Sequence, residues 1–267
     1  MSDRLVIKLT YSFFYSIAKE KDGGEIQGKY ADKAGHSFHN MIIWTVASIT
    51  GYQALLMSHH LPWWMGGHDD SKTAFESTMI NNPYCEFPRV LYLWFLYSFG
   101  IFFGELVNHV TFRERKNDFG EMLIHHLATC FLIFGSAYAN QIGIGCVIAW
   151  LHMSSDIFGA MVKMFASTHY NDTTVVVFFM MLSAWVYFRL ICLPFWIYNI
   201  FTSPVMGYPE HISHFDIFHT LNGLYLCVIQ VLQVYWFCLF MKMLFSYAKT
   251  GVAEDSQEKV ESKEKVQ

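Results

Sequence analysis

The stretch "RERKNDFGEMLIHHLATCFLIFGSAYAN", Arg113–Asn140, decides how the chain is read. It opens charged and mostly basic, then runs without a break into a long apolar segment. That order marks a helix entering a bilayer from its basic side. Two adjacent histidines, His125 and His126, sit just inside the apolar part. Ionisable side chains are costly in hydrocarbon, so those retained there face a protein interior or a polar path.

Composition extends this reading outward. The chain has 267 residues, 54% of them hydrophobic and only 15% charged, with a mean hydropathy of +0.27. A soluble domain carries more charge. Its 25 Phe, 15 Tyr and 8 Trp suit a bilayer with aromatic belts at both interfaces. A net charge of −4 points to no nucleic-acid partner. The 6 Cys are scattered and form no CxxC, which argues against a zinc ribbon or a disulfide framework. The N-terminal run "MSDRLVIKLTYSFFYSIAKEKDGG" lacks the small-residue cleavage pattern of a secretory signal. It reads instead as a helix lying in the membrane interface.

About six segments are long and apolar enough to span: Met41–Met57, Val90–His109, Glu121–Asn140, Ile142–Phe165, Val175–Ile200 and His219–Ser246. The expected fold is an all-α integral membrane protein. It has about six transmembrane helices around a central polar cavity, plus the N-terminal interfacial helix. Residues 1–37 form the N-terminal cytosolic-side segment, 38–246 the transmembrane domain and 247–267 a charged tail. Lys and Arg gather before the first span, in the loop holding Arg113, Arg115 and Lys116, and in the tail. That asymmetry places both ends inside.

Two spans carry polar faces. Stepping about 100° per residue puts Glu121, Thr129, Ser136 and Asn140 within about 60° of His125, with His126 at the edge. Likewise Ser155, Asp156, Gly159 and Lys163 fall within about 60° of His152. Consecutive spans joined by a short turn are antiparallel neighbours, so the two faces are expected to meet in the inner half of the bilayer. A carboxylate near mid-membrane costs at least about 2.5 kcal/mol and needs a partner or a task. His152, four residues before Asp156, is one candidate partner; Arg189 in the fifth span is the other. A carboxylate-held imidazole is what a general base or nucleophile requires. The 13 His also raise the question of a metal. No HxxHH or HExxH occurs, and His59, His60 and His68 lie in a polar loop beside Asp69 and Asp70. No metal or cofactor is expected.

The order from Arg115 to Asn140, with its paired His in "EMLIHH", resembles the Lag motif of ceramide synthases, which are TLC-domain membrane proteins. "LHMSSDIFGAMVKM", "FRLICLPFWIY" and "LNGLYLCVIQVLQVYW" resemble later motifs of the same family, as do "LPWW" and "NNPY" after the first span. The similarity runs from about Phe38 to Leu244. It implies a sphingoid-base N-acyltransferase that uses acyl-CoA as co-substrate and membrane lipids as surroundings. It also implies His125, His126, His152 and Asp156 as catalytic residues. Thr129, Asn140 and Arg189 would bind substrate, and Arg113, Arg115 and Lys116 would sit by the anionic head of acyl-CoA.

The chain departs from the family pattern at four positions. The Asp after His152 reads Met153, a Glu reads Ala160, an Arg reads Gly143 and a His of the last span reads Gln233. A thioether cannot orient an imidazolium, and removing such a carboxylate from a catalytic triad costs about four orders of magnitude in rate. Two readings therefore stand side by side. One is an active ceramide-synthase-like enzyme; the other is a non-catalytic TLC-domain subunit of a larger membrane assembly. The terminal "KEKVQ" spells KxKxx, similar to a di-lysine signal of the endoplasmic reticulum. The mitochondrial inner membrane is the alternative under the second reading.

Overall fold

In hydrocarbon every backbone N–H and C=O must be paired within the protein, which long uninterrupted helices achieve. The computed structural model describes residues 2–18, 24–79, 82, 84–111, 118–202 and 213–250. Among these there is no strand, only isolated bridges at Ala18–Thr168 and Pro62–Asp69. The helices are α1 (Ser2–Ile17), α2 (Gly24–Met57), α3 (Ser71–Met79), α4 (Arg89–Thr111), α5 (Phe119–Tyr138), α6 (Ile142–Ala166), α7 (Asn171–Trp185), α8 (Leu193–Thr202) and α9 (Ser213–Thr250). A π-helical segment, Val186–Cys192, joins α7 to α8.

Among the described residues, five helical stretches are long and apolar enough to cross a membrane: Arg89–Thr111, Phe119–Tyr138, Ile142–Ala166, Asn171–Thr202 and Ile217–Lys249. The chain is thus an all-α membrane protein. The expected first span, Met41–Met57, is helical but is not among the five. It forms the second half of the 34-residue α2, and Thr45, Ser48, Thr50 and Gln53 dilute its apolar run. The Thr45 and Thr50 hydroxyls donate back to the carbonyls of Met41 and Val46, which hides their polarity from an apolar surround.

The chain divides into two compact units, Met1–Gln53 with Ala149–Cys192, and Ala54–Ile148 with Leu193–Gln267. In the first, α1 lays Phe14 on α2 beside Ala31 and Ala34, with Phe38 and Met164 closing the cluster. The opposite face of α1 exposes Leu5, Leu9 and Phe13 at four-residue spacing, as a helix lying at a bilayer surface would. Further along α2, the Trp150 indole donates to the Ser48 carbonyl at 3.1 Å, and the Ser48 and Ser154 hydroxyls lie 3.2 Å apart.

In the second unit α5 runs antiparallel to α9. Tyr138 meets Phe218, Phe131 stacks on Tyr225 and His125 meets Trp236, so positions rise on one helix as they fall on the other. Such ring pairs are each worth about 0.5–1.5 kcal/mol beyond area burial. Near one end α5 and α9 touch closely, since a Cβ at Gly135 would collide with Asn222 Oδ1. There the Asn222 amide donates to Gln141 Oε1 at 3.1 Å. The Gln141 amide and His219 Nδ1 are 2.9 Å apart, and His219 Nε2 lies 3.0 Å from the Ile200 carbonyl. The carbonyl can only accept, so the ring carries its proton on Nε2 and accepts from Gln141 at Nδ1.

Candidate active site

The first cluster belongs to the first unit and is built on Arg189. Pro194 has no N–H to close an α-turn onto Leu190, and the wider π-helical turn lies just before it. Turns of this kind often mark functional sites. The Arg189 guanidinium is 2% exposed. It donates from Nε to Ser155 Oγ at 2.6 Å, and from Nη2 to the His152 carbonyl at 3.0 Å and to Asp156 Oδ1 at 2.6 Å. Its Cζ lies 4.8 Å from the Trp185 ring centroid. The structure thus joins Arg189 to Asp156, one of the two pairings open in the sequence. Ser155, His152 and Asp156 are brought together on α6 by a single cation from another helix.

The second cluster belongs to the second unit. His109, near the end of α4, stacks on Phe119 at the start of α5, with centroids 4.4 Å apart and planes 20° apart. His126 lies 5.3 Å from His109, His125 lies 5.6 Å from His126, and Trp236 meets His125 edge-on at 5.3 Å. These imidazoles form a row instead of converging. Among the described residues no group of His, Cys, Asp and Glu could hold a metal ion. His109 and His126 are buried and His125 is half-buried, as titratable groups in a span should be.

The other expected site residues separate. The Thr129 hydroxyl donates to the His125 carbonyl at 2.8 Å, fastening the backbone under the His pair. Asn140 ends α5 with φ of 51°, a left-handed conformation that Asn tolerates better than most residues. Its amide donates to the Cys85 carbonyl at 3.0 Å. Arg113, Arg115 and Lys116 lie outside the described residues. Met153 and Gln233 are fully buried, and Ala160 is buried too.

Gly143 has a packing reason. A Cβ there would lie 2.9 Å from Phe87 Cε1, 3.0 Å from Thr78 Cα and 3.1 Å from His60 Nε2. The side chain of an Arg would have to displace all three. His60 itself lies in the polar loop after α2, with Nδ1 2.8 Å from Ser77 Oγ. Burial, with a smaller contribution from neighbouring His59, lowers its pKa to about 4.

Sequence reading missed His109. A His at the end of a span is ordinary in itself. The signal was its position: it stands a short way before His125 and His126 in the sequence.

Residues 33–242 match the family described as the TLC domain. The chain belongs to the TLC-domain family. Among curated proteins it is 33% identical over 167 residues to ceramide synthase 4 of Homo sapiens, covering 61% of this chain and 40% of that relative. It is 30% identical over 166 residues to ASC1-like protein 1 of Oryza sativa subsp. japonica, covering 60% of this chain and 53% of the relative. It is 26% identical over 205 residues to ceramide synthase LOH2 of Arabidopsis thaliana, covering 75% and 66%. The match spans less than half the length of the human relative. The chain is a ceramide-synthase-like TLC-domain membrane protein. Its TLC domain takes in both clusters and excludes α1 and the start of α2.

Proposed function

We propose that this chain transfers a fatty acyl group from acyl-CoA to the primary amine of a sphingoid base. The observation that carries the reading is the row His109–His126–His125 closed by Trp236, titratable rings held inside an apolar helix pair. Neutral imidazole is the base such a reaction needs. The sphingoid amine is an ammonium at neutral pH and must lose a proton before its nitrogen can attack. A ring of the His125–His126 pair takes that proton. The nitrogen then attacks the thioester carbonyl, the C–N bond forms, the C–S bond breaks and the CoA thiolate leaves; the nitrogen gives up its second proton to the thiolate, and the imidazolium releases the first to water. Both substrates have long apolar tails, which suits a site among membrane helices, and the endoplasmic reticulum is the membrane the reading implies. The anionic head of CoA would be met by Arg113, Arg115 and Lys116.

The test is amide formation from acyl-CoA and sphinganine in membranes carrying the chain, read by mass spectrometry. His125→Ala and His126→Ala are each expected to lower it by about 10²- to 10⁴-fold, the usual worth of general acid–base catalysis. No amide from the native chain would sink the reading. A non-catalytic subunit is the second reading. It is favoured by the buried Met153 and by the engagement of Asp156 with Arg189. Native purification in a stoichiometric membrane complex, with no amide formed, would support it.

A further inference from the structure

His109 carries an acceptor with no evident structural use. Its Nε2 lies 3.1 Å from the Phe119 carbonyl. A carbonyl can only accept, so Nε2 bears the proton and Nδ1 of the neutral ring presents a lone pair. That Nδ1 is buried and makes no hydrogen bond among the described residues, although buried polar atoms are as a rule satisfied. Phe119 covers the ring at 4.4 Å, and the neighbouring titratable group is His126 at 5.3 Å. Ring centroids at that separation leave room for one bridging water or a small ring rotation to join the two imidazoles.

We propose that His109 is a positioning residue, whose Nδ1 accepts a hydrogen bond from the His126 imidazole, directly or through one water. This deepens the acyltransferase reading and rests on it. A ring whose N–H is held by an acceptor is fixed in one tautomer, and its other nitrogen becomes a better base and nucleophile. Carboxylates usually fill this place. Here a neutral imidazole fills it, fixed by the main chain of the next helix. A neutral acceptor also suits a site in hydrocarbon, because it brings no charge to be desolvated.

Two substitutions separate this role from mere support. His109→Gln can still donate to the Phe119 carbonyl but loses the acceptor at the Nδ1 position. His109→Asn retains an acceptor near Nδ1 and loses the donor. The full chain in detergent is treated with diethyl pyrocarbonate, which modifies neutral imidazole nitrogens, and the rate at His126 is read by peptide mass spectrometry. His109→Gln is expected to slow modification of His126 about tenfold, and His109→Asn to stay within about twofold of the native chain, by the scale of supporting-residue effects. In the acylation assay His109→Gln should lower kcat with KM unchanged. If His109→Gln fails to fold, His109→Phe, which keeps the stack on Phe119, replaces it with the same expectation. Equal loss in the Gln and Asn variants would make His109 a structural prop and overturn the proposal, as would no change in either. If the native chain forms no amide while the contrast at His126 persists, the acyltransferase reading fails and the positioning role stands.

Discussion

Replacing Arg189 with Met isolates the energetics of the buried cation. The substitution removes hydrogen bonds to Ser155, the His152 carbonyl and Asp156. It also leaves the Asp156 carboxylate in a membrane span without its cation. Breaking a buried pair from one side costs about 3–5 kcal/mol, whereas replacing both partners with apolar residues is often close to neutral. The Asp156 side chain is 32% exposed against 2% for Arg189, so the lower end, about 3 kcal/mol, applies. At about 2–4 °C per kcal/mol for a chain of this size, the apparent melting temperature should fall by about 6–12 °C. Thermal unfolding in detergent, followed by tryptophan fluorescence, measures this, and Trp185 under the guanidinium reports locally. Arg189→Met combined with Asp156→Leu should recover much of the loss and give a coupling of about 2 kcal/mol. If the double variant loses as much as the two singles added together, the pair is not coupled and the reasoning fails.

Acid should loosen the loop after α2, because folded His60 has its pKa lowered to about 4 against an ordinary value near 6.5. The folded state then binds fewer protons than the unfolded one. Stability is therefore full above about pH 6.5 and falls progressively towards pH 4, by about 3 kcal/mol in all. Melting scans between pH 7.5 and 5 should show this fall, and His60→Gln should flatten it. Gly143→Arg, which restores the family residue, should destabilise by at least about 1–3 kcal/mol through overpacking against Phe87, Thr78 and His60; unfolding in denaturant checks it. Met153→Asp places a carboxylate at a site with 0% exposure, so it should lower the melting temperature and the folded yield, in spite of restoring the motif.

The spans were legible because length and hydropathy suffice to define a helix in lipid. Met41–Met57 was the exception: its helix starts well before the apolar run, and its Thr side chains satisfy themselves locally. The link from Arg189 to Asp156 was legible too, since a charge at mid-span has few possible partners. His109 was not, because its meaning arises only when α4 and α5 pack and bring its ring against His126. The same holds for Gln141, His219 and Asn222, which are far apart in sequence and polar in ways any helix end can be. Gly143 read as a lost Arg; the packing around it shows a position with no room for one.

The π-helical turn before Pro194 also resets the phase of a long span. Buried positions recur there at Met181, Trp185, Arg189 and Leu193, in steps of four. In an unbroken α-helix that run of twelve steps would make about three and a third turns, and the buried line would wander off its face. Taking one residue up in the wider turn brings the run back to about three turns. Shortening this segment by one residue would leave eleven steps, about three turns of ordinary α-helix, and so keep the buried line in phase, whereas straightening the turn without a deletion would break it.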